Sequence, residues 1–107
     1  MARSSGYENG DLPDTALNIM LALLEPRHGY AIMQFLEEES RGIVTIGPAS
    51  LYTTLKKLVA TGYITEVDGE GNRRIYQITE SGSDALTVNI EQRRRLLAMA
   101  DRIMEKR

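Results

Sequence analysis

Between Gly47 and Gly62 the chain gathers hydroxyl, phenol and ammonium groups at a spacing that puts most of them together: Ser50, Tyr52, Thr53, Lys56 and Lys57. At about 100° per residue, Leu51, Leu55, Leu58 and Val59 fall on one side of a helix. Ala49, Ser50, Thr53, Lys56, Lys57 and Ala60 fall opposite, with Tyr52 at the boundary. The outward face is small, hydroxylated and cationic. Short side chains allow a helix to approach the floor of a major groove about 12 Å wide, where Ser50 and Thr53 can bond base edges or phosphates. Lys56 and Lys57 can neutralise backbone phosphates, and Tyr52 can either hydrogen-bond a phosphate or pack on the core. A second cationic pair, Arg73 and Arg74, follows the glycine-rich stretch Asp68-Gly69-Glu70-Gly71-Asn72. Guanidinium groups beside a flexible hairpin tip suit an adjacent minor groove or backbone, although Asp68 and Glu70 weaken the local field. Read blandly, the helix face is an ordinary solvated surface.

Other chemistries find little material. There is one histidine, His28, and no cysteine, so neither a nucleophile–base arrangement nor a recognisable metal-ligand set is present. At the head of the second predicted helix His28 reads as a cap or packing residue. Gly69-x-Gly71 is too short, and follows the wrong element, to be a phosphate loop. The expectation is a protein that is not an enzyme and has no cofactor. Without cysteines there is no disulfide scaffold, which fits a reducing compartment. The N-terminal residues lack the layout of a secretory signal, and no apolar run reaches the ~18 residues of a membrane span, so the expected location is cytoplasmic.

The net charge of −2 runs against the usual basic footprint of a nucleic-acid binder. Its distribution is more favourable. Residues 1–46 hold Arg3, Arg27 and Arg41 against seven acids, whereas residues 47–79 hold Lys56, Lys57, Arg73 and Arg74 against Glu66, Asp68 and Glu70. The last segment, 80–107, carries six basic and five acidic side chains.

The elements that must position these groups are legible in order. Residues 1–13, short of apolar side chains and containing Gly6, Gly10 and Pro13, read as a flexible arm. Asp14 or Thr15 can cap a first helix so dense in apolar residues, from Leu17 to Leu24, that most of its circumference must be covered; it ends near Pro26. A second helix spans Gly29 to about Ser40, with Tyr30, Ile32, Met33 and Leu36 opposing Gln34 and Glu37-Glu38-Glu39. Gly47 as N-cap and Pro48 at the first helical position start the third helix, and Gly62 closes it. Residues 63–67 and 74–78 are β-prone runs forming a hairpin. Thr79 caps a final helix of roughly 27 residues, ~40 Å at 1.5 Å per residue. The expected architecture is α+β but mostly helical: a winged helix-turn-helix over 14–79, with three helices and a β-hairpin wing, followed by a long C-terminal dimerisation helix over 80–107.

On that last helix Leu86, Ile90, Leu97, Ala100 and Met104 form a heptad seam interrupted at Arg93, broadened by Leu96 and Ile103. Self-association as a homodimer would cover the stripe and set two third helices about one turn of double-stranded DNA apart, predicting an inverted-repeat operator. Alternatively the stripe folds back on the first helix of its own chain. Arg93-Arg94-Arg95 reads as a solvated or interface-edge run.

The ordered motifs Leu23-Leu24, His28-Gly29-Tyr30-Ala31-Ile32, Gly47-Pro48-Ala49-Ser50-Leu51-Tyr52 through Leu58, Gly62-Tyr63-Ile64, and Arg73-Arg74-Ile75-Tyr76 through Gly82 closely resemble the PadR family of transcriptional regulators across about residues 15–85. The single C-terminal helix is similar to the smaller PadR subgroup. The resemblance implies a winged-helix dimer that represses its target genes, with the third helix in the major groove, the wing beside it and the final helix crossing to the partner. In some relatives a small aromatic effector, a phenolic acid or planar drug, releases the DNA at or near the dimer interface. Multidrug-binding members sandwich such ligands between tryptophans of the final helix, and this chain has none. Many relatives carry proline after the Leu-Tyr pair where this chain has Thr53, so base preference does not carry over. The competing reading is a winged-helix protein-interaction module without sequence-specific DNA binding, which the acidic net charge would suit.

Overall fold

The computed structural model describes residues 6, 7, 9–69, 71 and 73–107. Four helices and three short strands follow one another: α1 (Asp14–Ala22), β1 (Arg27–His28), α2 (Gly29–Glu39), α3 (Pro48–Thr61), β2 (Ile64–Asp68), β3 (Arg74–Ile78) and α4 (Glu80–Glu105). The strands form one antiparallel sheet in the order β1-β3-β2, with Ile64 opposite Ile78 and Asp68 opposite Arg74. This is the mostly helical α+β architecture of a winged helix.

The core explains the arrangement. Ile19, Met20 and Leu23 from the first helix region meet Ile32 of α2, Leu51, Leu55 and Leu58 of α3, and Ile64 of β2, all fully buried. Because α1 buries Ala16, Leu17, Ile19, Met20 and Ala22, neighbours cover nearly its whole circumference, as its apolar density requires. The structure departs from the sequence reading in three places. Pro13, not Asp14 or Thr15, is the N-cap of α1, and no side chain caps that helix. α1 ends at Ala22, because Leu23 already turns out of the helix, well before Pro26. β1 is an unforeseen two-residue strand that exists only by pairing with Tyr76 and Ile75 of β3.

The end of α3 and the start of α4 are stitched together. Gly62 ends α3 in the left-handed region at φ 88°, a conformation that a side chain would strain. Its carbonyl accepts hydrogen bonds from the hydroxyls of Thr79, at 2.7 Å, and Ser81, at 3.1 Å. Thr79 Oγ1 in turn accepts the N–H of Gly82, capping α4 as expected. The wing is thereby clamped at its base between two helix ends.

The N-terminal segment is more ordered than its composition indicates, and the flexible-arm reading fails for its described part. Leu12 is buried, Tyr7 packs against the core, and the Tyr7 N–H donates to Thr61 Oγ1. The anchor is Asn89 of α4, itself buried. Its Oδ1 accepts the N–H of Leu12, and its Nδ2 donates to the carbonyls of Gly10 and Ala85. One turn later Arg93 donates to the Asp14 carboxylate and the Leu12 carbonyl. Arg93 is therefore a structural tie between α4 and the start of α1, not part of a solvated run. Arg94 does lie at the surface, pairing with Glu91, and Arg95 is exposed.

Replacing Asn89 with leucine strands the Leu12 N–H and the Gly10 carbonyl without partners. It is expected to lower stability by about 1–3 kcal/mol in chemical denaturation, whereas Arg94→Ala, which breaks only an exposed pair, should stay within about 0.5 kcal/mol.

Candidate nucleic-acid interface

The rotation of α3 is set from inside. Leu51, Leu55 and Leu58 are at most 1% exposed, and Thr54, which the helical count did not assign to the inner face, is buried with them. Val59 is only half-buried, at the edge. Ala49, Ser50, Thr53, Lys56, Lys57 and Ala60 consequently all stand on the exposed side. Pro48 occupies the first turn and Gly47 the N-cap with no side-chain cap, so the N-terminal end of α3 is open.

Tyr52 packs inward at one end and stays half exposed. Its hydroxyl lies against the backbone of Gly29, where a Cβ would come within 2.4 Å of Oη, yet the residue remains 49% exposed. Glycine at the start of α2 thus makes room for the phenol. The ring forms one wall of a cleft of about 710 Å³ between the N-terminal end of α2, α3 and the wing, lined also by His28, Tyr30, Arg73, Arg74 and Tyr76. His28 occupies the N-cap position of α2 without a side-chain capping bond. Arg27, just before it, is engaged within the fold, its guanidinium 3.9 Å from the Phe35 ring centroid and donating to the Ala22 carbonyl.

On the wing, Arg73 and Arg74 lie exposed at the start of β3, while Glu70 and Asn72 of the expected tip are outside the described residues. Arg74 donates from Nη1 to the Glu66 carboxylate of β2. That hydrogen bond, followed by the attraction of the charge, raises the Arg74 pKa. Tyr76 is held above its ordinary pKa first by burial, then by the nearby Glu66. The structure thus brings Arg73 and Arg74 to the cleft that Tyr52 lines, and Lys56 to a recess shared with Tyr52 and Arg74, while Lys57 lines neither. It also adds Tyr30, 61% exposed, and Glu66, neither of which the sequence reading placed there. Tyr30 was legible only as part of α2. Glu66 follows once the hairpin register is fixed, because it lies diagonally across from Arg74 on the same face.

The expected seam on α4 divides in two. Leu86 is 5% exposed inside its own chain's core, so burial within the protomer takes it, while Ile90 is half-buried against that core. Beyond Ile90, Arg93 still ties α4 to the body. Leu96, Leu97, Ile103 and Met104 are 55–65% exposed, Met99 is 45% exposed, and Ala100 is intermediate. Leu21 and Leu24, with Phe35 and Val44, also line an apolar groove of about 380 Å³ between α1 and α2. Among the described residues no His, Asp or Glu cluster could hold a metal ion, and no helix is long and apolar enough to cross a membrane.

Residues 17–88 match the model of the transcriptional regulator PadR-like family. A transcriptional regulator of Escherichia coli K12, YqjI, is 30% identical over 90 residues, 84% of this chain and 42% of that protein. The chain therefore spans about two fifths of that relative's length. A PadR family transcriptional regulator from Eggerthella lenta superposes with a TM-score of 0.73 at 22% identity, over 84% of this chain and 77% of that one. Bacillus subtilis PadR, solved in complex with operator DNA, gives a TM-score of 0.62 at 26% identity, over 72% of this chain and 46% of that one. Regulators of this family are DNA-binding proteins and not enzymes. The family match covers the core, the exposed face of α3 and the wing alike, and the chain belongs to the PadR-like family of transcriptional regulators.

Proposed function

We propose that this regulator is a repressor that binds an inverted-repeat operator as a homodimer, reading base edges with α3 and gripping phosphates with α3 and the wing. The observation that carries the reading is that an α3 cation and a wing cation, Lys56 and Arg74, line one recess with Tyr52. Lys56 and Lys57 project from the solvent face of a helix whose opposite face is locked in the core, and Arg73 and Arg74 flank the cleft beside it. A helix that enters a groove needs small side chains at its leading end and cations further along, which is the order Ala49, Ser50, Thr53, Lys56, Lys57. The acidic net charge is compatible with this, since affinity depends on the charge facing the duplex.

Dimerisation would cover the apolar residues left exposed on the distal half of α4 and on α1. Paired α4 rods would hold two α3 helices about one turn of duplex apart, ~34–36 Å, so that a bound dimer obstructs a promoter. A small aromatic effector would have to be held by aliphatic and methionine side chains of α4, because the chain has no tryptophan. The compartment that goes with this reading is the cytoplasm.

Selection of bound duplexes from a random library should return an inverted repeat. Affinity should fall steeply with salt, with a log–log slope approaching about −7 if Lys56, Lys57, Arg73 and Arg74 of both protomers each neutralise one phosphate. Selection without enrichment, or a flat salt dependence, would overturn the reading. Thr53→Ala or Ser50→Ala should change which base is preferred at one position of each half-site, by about 1–3 kcal/mol. Lys56→Ala should weaken binding to all duplexes alike and reduce the slope by about 1 per contact removed. Leu97→Asp, which places a charge on the exposed stripe, should yield monomers in sedimentation with sharply weaker operator binding.

A further inference from the structure

A smaller recess of about 250 Å³ lies between α3 and the hairpin, lined by Tyr52, Lys56, Val59, Glu66, Arg74 and Tyr76. Glu66 is one of its walls. It shares a strand face with Ile64, which is buried, and is paired with Tyr76, also buried, so its side chain points toward α3 and not toward the outer side of the wing. One carboxylate therefore binds the guanidinium of Arg74 in a recess that Lys56 also lines. Those are two of the cations assigned above to phosphate contacts.

Stability does not account for this placement. The Glu66 side chain is 32% exposed and that of Arg74 68%, and ion pairs so open to water contribute little to folding. A carboxylate does, however, present two acceptor oxygens to a guanidinium as a phosphate does, so either can take the same donors. Asp68, directly opposite Arg74, makes no hydrogen bond to it and offers a comparison of equal charge.

We propose that Glu66 is an internal competitor for the DNA backbone: in the free protein its carboxylate holds Arg74, and a phosphate must displace it when the wing docks. The proposal rests on the DNA-binding geometry of the preceding subsection. Its consequence is a restraint on affinity for every sequence, which shortens residence on the vast excess of non-operator DNA. Glu66 is then a positioning residue that acts through Arg74.

The test compares wild type with Glu66→Gln, Asp68→Asn, Arg74→Ala and the double variant Glu66→Gln/Arg74→Ala. Binding to a duplex of random sequence is followed by fluorescence anisotropy across a salt series. Glu66→Gln should tighten binding about two- to fivefold for each wing, the range of an exposed ion pair, with an unchanged melting curve. The salt slope should stay close to that of wild type, because Arg74 meets the same phosphate in both complexes once Glu66 has been displaced. Asp68→Asn should do less, and the tightening should vanish when Arg74 is alanine. Glu66→Ala should repeat the result if the glutamine variant is poorly folded. Unchanged or weaker binding by the Glu66 variants, tightening equal to that of Asp68→Asn, or tightening that survives in Arg74→Ala would each overturn the proposal while leaving DNA binding intact. If wild type and variant alike bind no duplex at low salt, the DNA-binding geometry falls and this proposal falls with it.

Discussion

Burial of Leu51, Leu55 and Leu58 against α1 and β2 is the constraint on which everything functional in this molecule depends. Each fully buried leucine contributes about 1.5–3 kcal/mol, while a single exposed charge on the other side of α3 contributes at most about 1 kcal/mol to stability. The apolar side therefore dictates the helix rotation, and the polar side is free to be chosen for what it touches. Chemistry on the outer face can change without unseating the helix. Gly62 extends the same control to the wing. Its left-handed turn ends α3, and its carbonyl receives the two hydroxyls that start α4, so helix, hairpin and rod share one junction.

Electrostatics add a second layer. The chain as a whole is acidic, with its first 46 residues supplying all of the excess, yet Lys56 of α3 and Arg74 of β3 line one recess with Tyr52. The field that a duplex meets is set by this local gathering, not by the total. Glu66 complicates it from within, since an acid beside Arg74 and Lys56 would weaken their attraction for a phosphate. Its position, paired with Arg74 in the recess, is more easily understood as tuning than as a contribution to folding.

What could be read from the sequence was what depends on near neighbours. Gly47-Pro48 and Gly62 bracket α3 because caps are local chemistry, Thr79 caps α4 for the same reason, and the hairpin follows from β-prone runs around glycines. What escaped was long-range. Asn89 bonds to Leu12 and Gly10, and Arg93 to Asp14, nearly eighty positions away, so a stretch of polar composition read as a loose arm. β1 is two residues long and has no periodicity to detect; it is a strand only because β3 lies beside it. Leu86 fits the heptad spacing as well as Leu97 does, and only the position of α1 shows that one lies inside the protomer and the other outside. At the candidate site the outward residues of α3 followed from helical geometry, whereas Tyr30 and Glu66 required the packing of α2 against α3 and the register of the hairpin.

The central claim is that one surface, made by the outer face of α3 and the start of β3, meets the duplex. Backbone amide shifts of the labelled protein, followed by NMR as a selected duplex is titrated in, test it most directly. The account predicts the largest changes at residues 49–57 and at 73–74, with the acidic face of α2 and the distal half of α4 left nearly unmoved. Changes concentrated on Glu37–Glu39 or on α4 beyond Ile90, with α3 silent, would contradict it.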